Sequence, residues 1–146
     1  MLPLENIRIE RSDIEDIIAT LDINKAVCQD LISHRVLKNV RFTISKPLCI
    51  LFNKSLDEGI FPSKWKTALV MPLYKKGDKH CSGNYRPVSL LSCIGKLLER
   101  CVYKHMYNYL IANNLIYEKQ AGILTGHSTV FQLIDLYHQI AQSFDS

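Results

Sequence analysis

Apolar residues recur along this chain at two different periods, and the change of period divides it into three stretches. In the first, Ser12-Asp13-Ile14-Glu15 has the form of a capping box, and Ile14, Ile17, Ile18 and Leu21 follow at helical spacing. A short amphipathic helix is predicted there. Asn24 to Asp30 reads as a loop, and Leu31, Ile32, Val36 and Leu37 predict another short helix. A third spans Ser45 to Glu58, with Ile44, Leu48, Leu51, Phe52 and Leu56 on one face and Gly59 just past its end. Pro47 fits that helix only in the first turn, where its missing N–H is not needed, which places the start near Ser45.

The period shortens after Phe61-Pro62-Ser63-Lys64-Trp65. Thr67 to Tyr74 is short, apolar and interrupted by Pro72, which favours an edge strand over a helix. Two turn signals follow, Lys75-Lys76-Gly77-Asp78 and Ser82-Gly83-Asn84, and Tyr85 to Leu91 returns as the second strand of a hairpin with a long polar loop. From Cys93 to Ile111 helical spacing resumes through Ile94, Leu97, Leu98, Cys101, Val102 and Leu110, and Asn113-Asn114 ends that helix. A last helix carries Val130, Leu133, Ile134, Tyr137 and Ala141 on one stripe. The predicted class is α+β: a helical part over 1–60, a basic β-hairpin over 61–92, and helices over 93–146.

Composition adds little until charge is mapped onto these stretches. With 146 residues, 47% of them apolar and 22% charged, the chain can build one ordinary globular core. The net charge is only +4, yet Lys64 to Lys104 holds nine Lys or Arg against Asp78 and Glu99, hence +7, which leaves −3 for the rest. A basic middle suits a polyanion such as nucleic acid or a nucleoside triphosphate, and equally a solvated cationic surface. Five cysteines at irregular spacing, with no C-x-x-C pair, point to reduced thiols and an intracellular, nuclear or cytoplasmic protein. His80 beside Cys81 lacks a second ligand pair, so surface loop residues are the reading there rather than a metal site. No apolar run approaches the ~20 residues of a membrane-spanning helix, so no membrane partner is expected.

The most informative segment is Trp65-Lys66, then Met71-Pro72-Leu73-Tyr74-Lys75-Lys76-Gly77-Asp78, then Asn84-Tyr85-Arg86-Pro87-Val88-Ser89-Leu90-Leu91. Further matches flank it in order: Asn24-Lys25-Ala26, Ser55-Leu56 with Gly59-Ile60-Phe61-Pro62, Gly95-Lys96-Leu97-Leu98-Glu99-Arg100, Asn114-Leu115-Ile116, Gln120-Ala121-Gly122 and Gly126-His127-Ser128-Thr129. Together these resemble the fingers of reverse transcriptases from LINE-like, jockey-type non-LTR retrotransposons, over nearly the whole chain. The resemblance implies the mostly helical fingers region of a right-hand polymerase, with RNA template, DNA primer and deoxynucleoside triphosphate as partners of the complete enzyme.

By that resemblance Arg86 is the first choice for a triphosphate contact, since a planar guanidinium binds phosphate oxygens bidentately and Pro87 stiffens the strand presenting it. One of Lys75 and Lys76, across the hairpin loop, would be its partner cation; the sequence does not say which. Lys64, Lys66 and Lys79 suit template phosphates as point charges. Gln120 and Gly122, placed with the template contacts, belong to a motif that by the resemblance implies a tight backbone turn near the template or the incoming base. Lys96, Arg100 and Lys104 form a basic stripe that suits a solvated helix face, with nucleic acid as the alternative. Ser128 reads as a helix cap, and Tyr103, Tyr107 and Tyr109 as packing residues rather than base-stacking ones.

Polymerisation needs carboxylates that hold two metal ions. In the resembled family these are one aspartate on a strand expected just beyond Ser146 and an Asp-Asp pair on a later hairpin; this sequence has no Asp-Asp pair, and Asp145 is not assigned as a ligand. The expectation is therefore a polymerase by family that is inactive alone, requires the palm and thumb, and itself binds no metal, although the complete enzyme uses Mg2+. The alternative is a non-catalytic nucleic-acid-binding module or a degenerate relic. Cys28-Gln29 before Asp30, Ile123, Leu124 and His127 depart from the family pattern, as decay or simple divergence would both produce.

Overall fold

The computed structural model describes residues 7–25, 27, 30–117, 120, 126 and 128–144. The chain divides into two units, Met1–Tyr107 and Asn108–Ser146. The first holds α1 (Arg11–Thr20), α2 (His34–Asn39), α3 (Arg41–Glu58), the single turn α4 (Ser63–Lys66), strands β1 (Ala68–Tyr74) and β2 (Tyr85–Leu91), and most of α5 (Cys93–Ala112). The second holds the end of α5 and α6 (Thr129–Phe144). β1 and β2 pair antiparallel, so the expected α+β class with one small hairpin is what forms.

The core of the first unit gathers most of the predicted apolar positions, but Leu31, Val36 and Leu51, expected on the same faces, are exposed. Ile14 and Ile18 of α1, Leu37 of α2, Leu48 and Phe52 of α3, and Leu97, Leu98 and Cys101 of α5 are all buried. Each large side chain removed from water stabilises the fold by about 1.5–3 kcal/mol. The segment before α1 is tied in by Asn53, whose side chain accepts from Ile9 N (2.9 Å) and donates to Ile9 O (2.8 Å). Ser45, fully buried, joins α3 to α1 by donating to Glu15 Oε1 at 2.8 Å and accepting from Arg11 Nε at 3.0 Å.

Three helix starts differ from expectation. The capping box of α1 is Glu10 with Asp13, not Ser12 with Glu15: Glu10 N donates to Asp13 Oδ2 at 3.0 Å. Glu15 is instead drawn to Arg11 and Ser45. α2 begins at His34, because Leu31 takes φ +56° and Ser33 caps the helix by accepting from Val36 N. α3 begins at Arg41, directly after α2, with Thr43 N and Ile44 N both donating to Val40 O. Pro47 therefore lies inside the helix rather than in its first turn. The missing N–H leaves the Thr43 carbonyl without its helical donor, and the buried contacts of Ser45, Leu48 and Phe52 on either side hold the helix through it.

The helix ends follow the sequence more closely. Gly59 closes α3 at φ +65°, with Ile60 N donating to Ser55 O. In the second unit Asn114, at φ +52°, closes α5 as Leu115 N donates to Leu110 O at 2.9 Å. Ser128 caps α6 by accepting from Phe131 N at 3.4 Å. No helix among the described residues is long and apolar enough to cross a membrane.

Asp13 is a charge held by three donors. Its carboxylate accepts from Lys104 Nζ at 2.8 Å and from His105 Nε2 at 3.1 Å, in addition to Glu10 N. Burial raises its pKa, but the bonds from Lys104, Glu10 N and His105 outweigh that and hold it below the ordinary 3.8. A carboxylate depressed in the folded state stabilises above its unfolded pKa, and that contribution is lost as pH falls through the lower folded value. Asp13→Asn is expected to cost about 1–3 kcal/mol in urea unfolding at pH 7. In the wild type the corresponding loss appears only below pH about 4.

Cys101 is fully buried, and that burial, reinforced by the Asp13 charge, pushes its thiol up to about 12. Mass spectrometry after iodoacetamide treatment of the native chain at pH ~8 should find Cys101 unmodified while the exposed Cys81 is alkylated.

Candidate nucleic-acid interface

The hairpin is a two-stranded ribbon whose root alone is packed. Every residue of β1 is exposed, whereas Leu90 packs against the core. Such a ribbon is marginal in water unless something else holds it. At the entry, Trp65 of α4 makes edge contacts with Phe52 (centroids 5.9 Å) and Phe61 (5.6 Å). Gly95 lets α5 approach that ring: a Cβ there would lie 3.2 Å from Trp65 Cβ. At the exit, Asp30 Oδ2 accepts from Ser92 Oγ at 2.9 Å and from Cys93 N at 2.7 Å, fixing the first turn of α5 directly after β2. Asp30 Oδ1 also accepts from Ile32 N, across the left-handed Leu31.

The register Leu73↔Arg86, Met71↔Val88 and Leu69↔Leu90 places those six side chains on one face. Lys75 N donates to Asn84 O at 2.8 Å, which extends the ladder by one pair beyond Tyr74↔Tyr85. By the alternation of strands Lys75 then falls on the same face as Arg86, as its diagonal neighbour, a separation of about 7–8 Å. Lys76 is the first residue past the ladder. The other face carries Tyr74 against Tyr85, centroids 5.6 Å apart, with Lys79 Nζ 5.7 Å over the Tyr74 ring.

The loop between the strands is built from its own polar groups. Tyr85 Oη donates to Lys79 O at 2.9 Å, and Tyr74 Oη donates to Gly77 O. Asn84 Nδ2 donates to Asp78 O at 2.8 Å, and His80 N to Asp78 Oδ1 at 2.9 Å. Gly77 has φ +95°, and a Cβ on it would come within 2.7 Å of Asn84 Nδ2. Asp78, the acid of this loop, thus closes the turn.

The other predicted contacts fall into separate places. Lys64 and Lys66 lie on α4, and Lys64 borders an opening together with Asp30, Ser63, Thr67 and Ser92. Gln120 belongs to the second unit, where its N–H donates to Tyr117 O at 2.9 Å. Gly122, like Cys28, Gln29, Ile123, Leu124, His127 and Asp145, lies outside the described residues. The stripe on α5 does not act as one: Lys104 is joined to Asp13 and Asp16, while Lys96 and Arg100 border an opening at the hairpin root. Tyr103 and Tyr107 stack on each other at 5.4 Å and 21°. Sequence reading missed Asp30 as the tie at the hairpin exit; its position before a left-handed residue left no local signal. Among the described residues no three His, Cys, Asp or Glu side chains converge as a metal site.

The chain is 32% identical over 145 residues to the "Probable RNA-directed DNA polymerase from transposon BS" of Drosophila melanogaster, covering 99% of this chain and 16% of that protein. It is 32% identical over 133 residues to the "RNA-directed DNA polymerase from mobile element jockey" of the same species, covering 90% and 14%. A third relative there, the "Probable RNA-directed DNA polymerase from transposon X-element", is 30% identical over 138 residues, covering 94% and 15%. The chain therefore spans 14–16% of the length of these relatives. No protein-family model matches it.

Two substitutions test the hairpin exit in opposite directions. Asp30→Ala should lower stability by about 1–3 kcal/mol, because two donors at the start of α5 lose their acceptor. Leu31→Gly should raise it by about 1 kcal/mol, since glycine meets no Cβ penalty at φ > 0. Thermal unfolding followed by circular dichroism reads both.

Proposed function

The chain belongs to the RNA-directed DNA polymerases of jockey-like, non-LTR mobile elements, and on that premise we propose that its hairpin holds phosphates during reverse transcription. Arg86 and Lys75 bind the triphosphate of an incoming deoxynucleotide; Lys64, Lys66 and Lys79 bind phosphates of the RNA template, with Gln120 and Gly122 near it. The observation that carries this reading is the common face of Arg86 and Lys75, which favours Lys75 over Lys76 as the partner cation.

The chemistry is electrostatic. Negative charge grows on the leaving phosphates as phosphoryl transfer proceeds, and cations fixed beforehand stabilise it without reorganising. Arg86 supplies a bidentate fork and Lys75 a point charge beside it. Magnesium belongs to the complete polymerase in this reading, and the hairpin's part is charge neutralisation and positioning. The palm and thumb regions and a DNA primer complete the enzyme in this reading, and this chain alone does not extend a primer.

Binding of a deoxynucleoside triphosphate should weaken by about tenfold or more in Arg86→Ala and in Lys75→Ala, and much less in Lys76→Ala, as measured by calorimetric titration. Arg86→Lys should recover only part of the loss, because the fork is gone. RNA affinity losing its salt dependence while triphosphate affinity stays unchanged would instead make the hairpin a plain RNA-binding module. Primer extension on an RNA template with magnesium should give no product from this chain, and measurable extension overturns that part of the proposal.

A further inference from the structure

An opening of about 440 Å³ lies between the two ends of the hairpin root, bordered by Ser63, Lys64 and Thr67 at the entry and by Asp30 and Ser92 at the exit. Lys64 and Asp30 bring opposite charges to it. The backbone of Lys64 is fixed: its carbonyl accepts from Thr67 Oγ1 at 3.2 Å, and Trp65 N closes the turn on Pro62 O at 2.9 Å. Its ammonium forms no ion pair among the described residues. Asp30 has room for one more donor. An ionised carboxylate offers about four acceptor positions, and the structure fills two on Oδ2, with Ser92 Oγ and Cys93 N, and one on Oδ1, with Ile32 N. We propose that Lys64 and Asp30 form a releasable clasp across the mouth of the hairpin: the ammonium moves onto Asp30 Oδ1 in the free chain, and a phosphate of the template draws it off.

The chemistry of the two groups suits an exchange. An ammonium on a flexible four-carbon stem is a point charge that passes from one anion to another without the loss of a planar fork. Lys64 is exposed, so its pair with Asp30 is weak and a phosphate competes with it directly. Closed, the clasp joins the entry of the hairpin to its exit, the two places that set the register of Arg86. Open, as in this structure, it presents Lys64 to an anion. The two partners of Lys64 therefore oppose each other: what the ammonium gives to a phosphate it withdraws from Asp30. Removing the Asp30 charge should strengthen RNA binding through Lys64, beyond the effect of net charge, which acts whether or not Lys64 is present. The inference rests on the reading that Lys64 meets template phosphates, and adds a control on that contact.

The test is zero-length crosslinking of the full chain with a carbodiimide, which joins an amine to a carboxylate in direct contact, followed by peptide mapping. Lys104 with Asp13, 2.8 Å apart, is the positive control, and Lys66, which does not border the opening, is the negative one with Asp30. A Lys64–Asp30 crosslink is expected in the free protein. Saturating oligoadenylate with 5′-hydroxyl ends should reduce it about fivefold and leave the Lys104–Asp13 crosslink unchanged. Oligoadenylate affinity, read by fluorescence anisotropy, should rise about threefold in Asp30→Asn, and clearly less when Lys64→Gln is already present. A Lys104–Asp13 crosslink without a Lys64–Asp30 one overturns the clasp and leaves the template reading standing. A Lys64–Asp30 crosslink that oligoadenylate does not diminish, or an equal gain from Asp30→Asn with and without Lys64→Gln, overturns its release. Should Asp30→Asn disturb folding, visible in thermal melts, crosslinking of the wild type decides alone. Failure of the chain to bind oligoadenylate overturns the clasp and the template reading together.

Discussion

A two-stranded ribbon in water does not hold its own register, so everything this hairpin can do depends on how its root is held. Both ends are pinned to the helical body by unlike means. At the entry it is packing, with Trp65 wedged among Phe52, Phe61 and the bare face of Gly95. At the exit it is a carboxylate, with Asp30 gripping Ser92 and the first amide of α5. A slip of one residue would turn Arg86 to the opposite face, so these pins decide where the guanidinium points although neither touches it. The Tyr74–Tyr85 pair does the same work at the tip, where each hydroxyl closes onto a loop carbonyl.

Much of this was legible in the sequence because it is written locally. The strand Tyr85–Leu91, the Gly59 and Asn114 helix ends and the apolar stripe of α5 all follow from spacing and from residues that tolerate positive φ. What was not legible depends on partners far along the chain. Asp30 meets Ser92 across 62 positions, and Lys104 meets Asp13 across 91, so nothing near either residue announces the bond. Lys96, Arg100 and Lys104 are alike in sequence; only the fold shows that Asp13 has taken the last of them. Pro47 misled for a related reason, since local propensity places it in a first turn while buried neighbours on α3 carry the helix past it.

The candidate site divides in the same way. That Arg86 belongs to a basic hairpin is a local fact, but whether Lys75 or Lys76 accompanies it turns on one backbone bond, Lys75 N to Asn84 O, that extends the ladder past the last strand residue. The same bond sets Lys79 apart, because the turn that follows carries its ammonium over the Tyr74 ring on the opposite face. A basic segment that looked uniform in composition is thus sorted into cations on two faces and at two ends of one ribbon.

That sorting bears on the kind of anion this surface can distinguish. Along the Arg86 face the order is cations at the tip, then exposed Leu73, Val88 and Met71. A uniformly charged rod such as a duplex would meet the middle of this face with phosphates and leave its apolar side chains opposed to charge. A ligand whose charged and apolar parts alternate meets each zone with its own kind, at no cost in stranded polar groups. In the proposed reading, the exposed apolar residues beside the tip cations weaken binding of anything that presents phosphate alone.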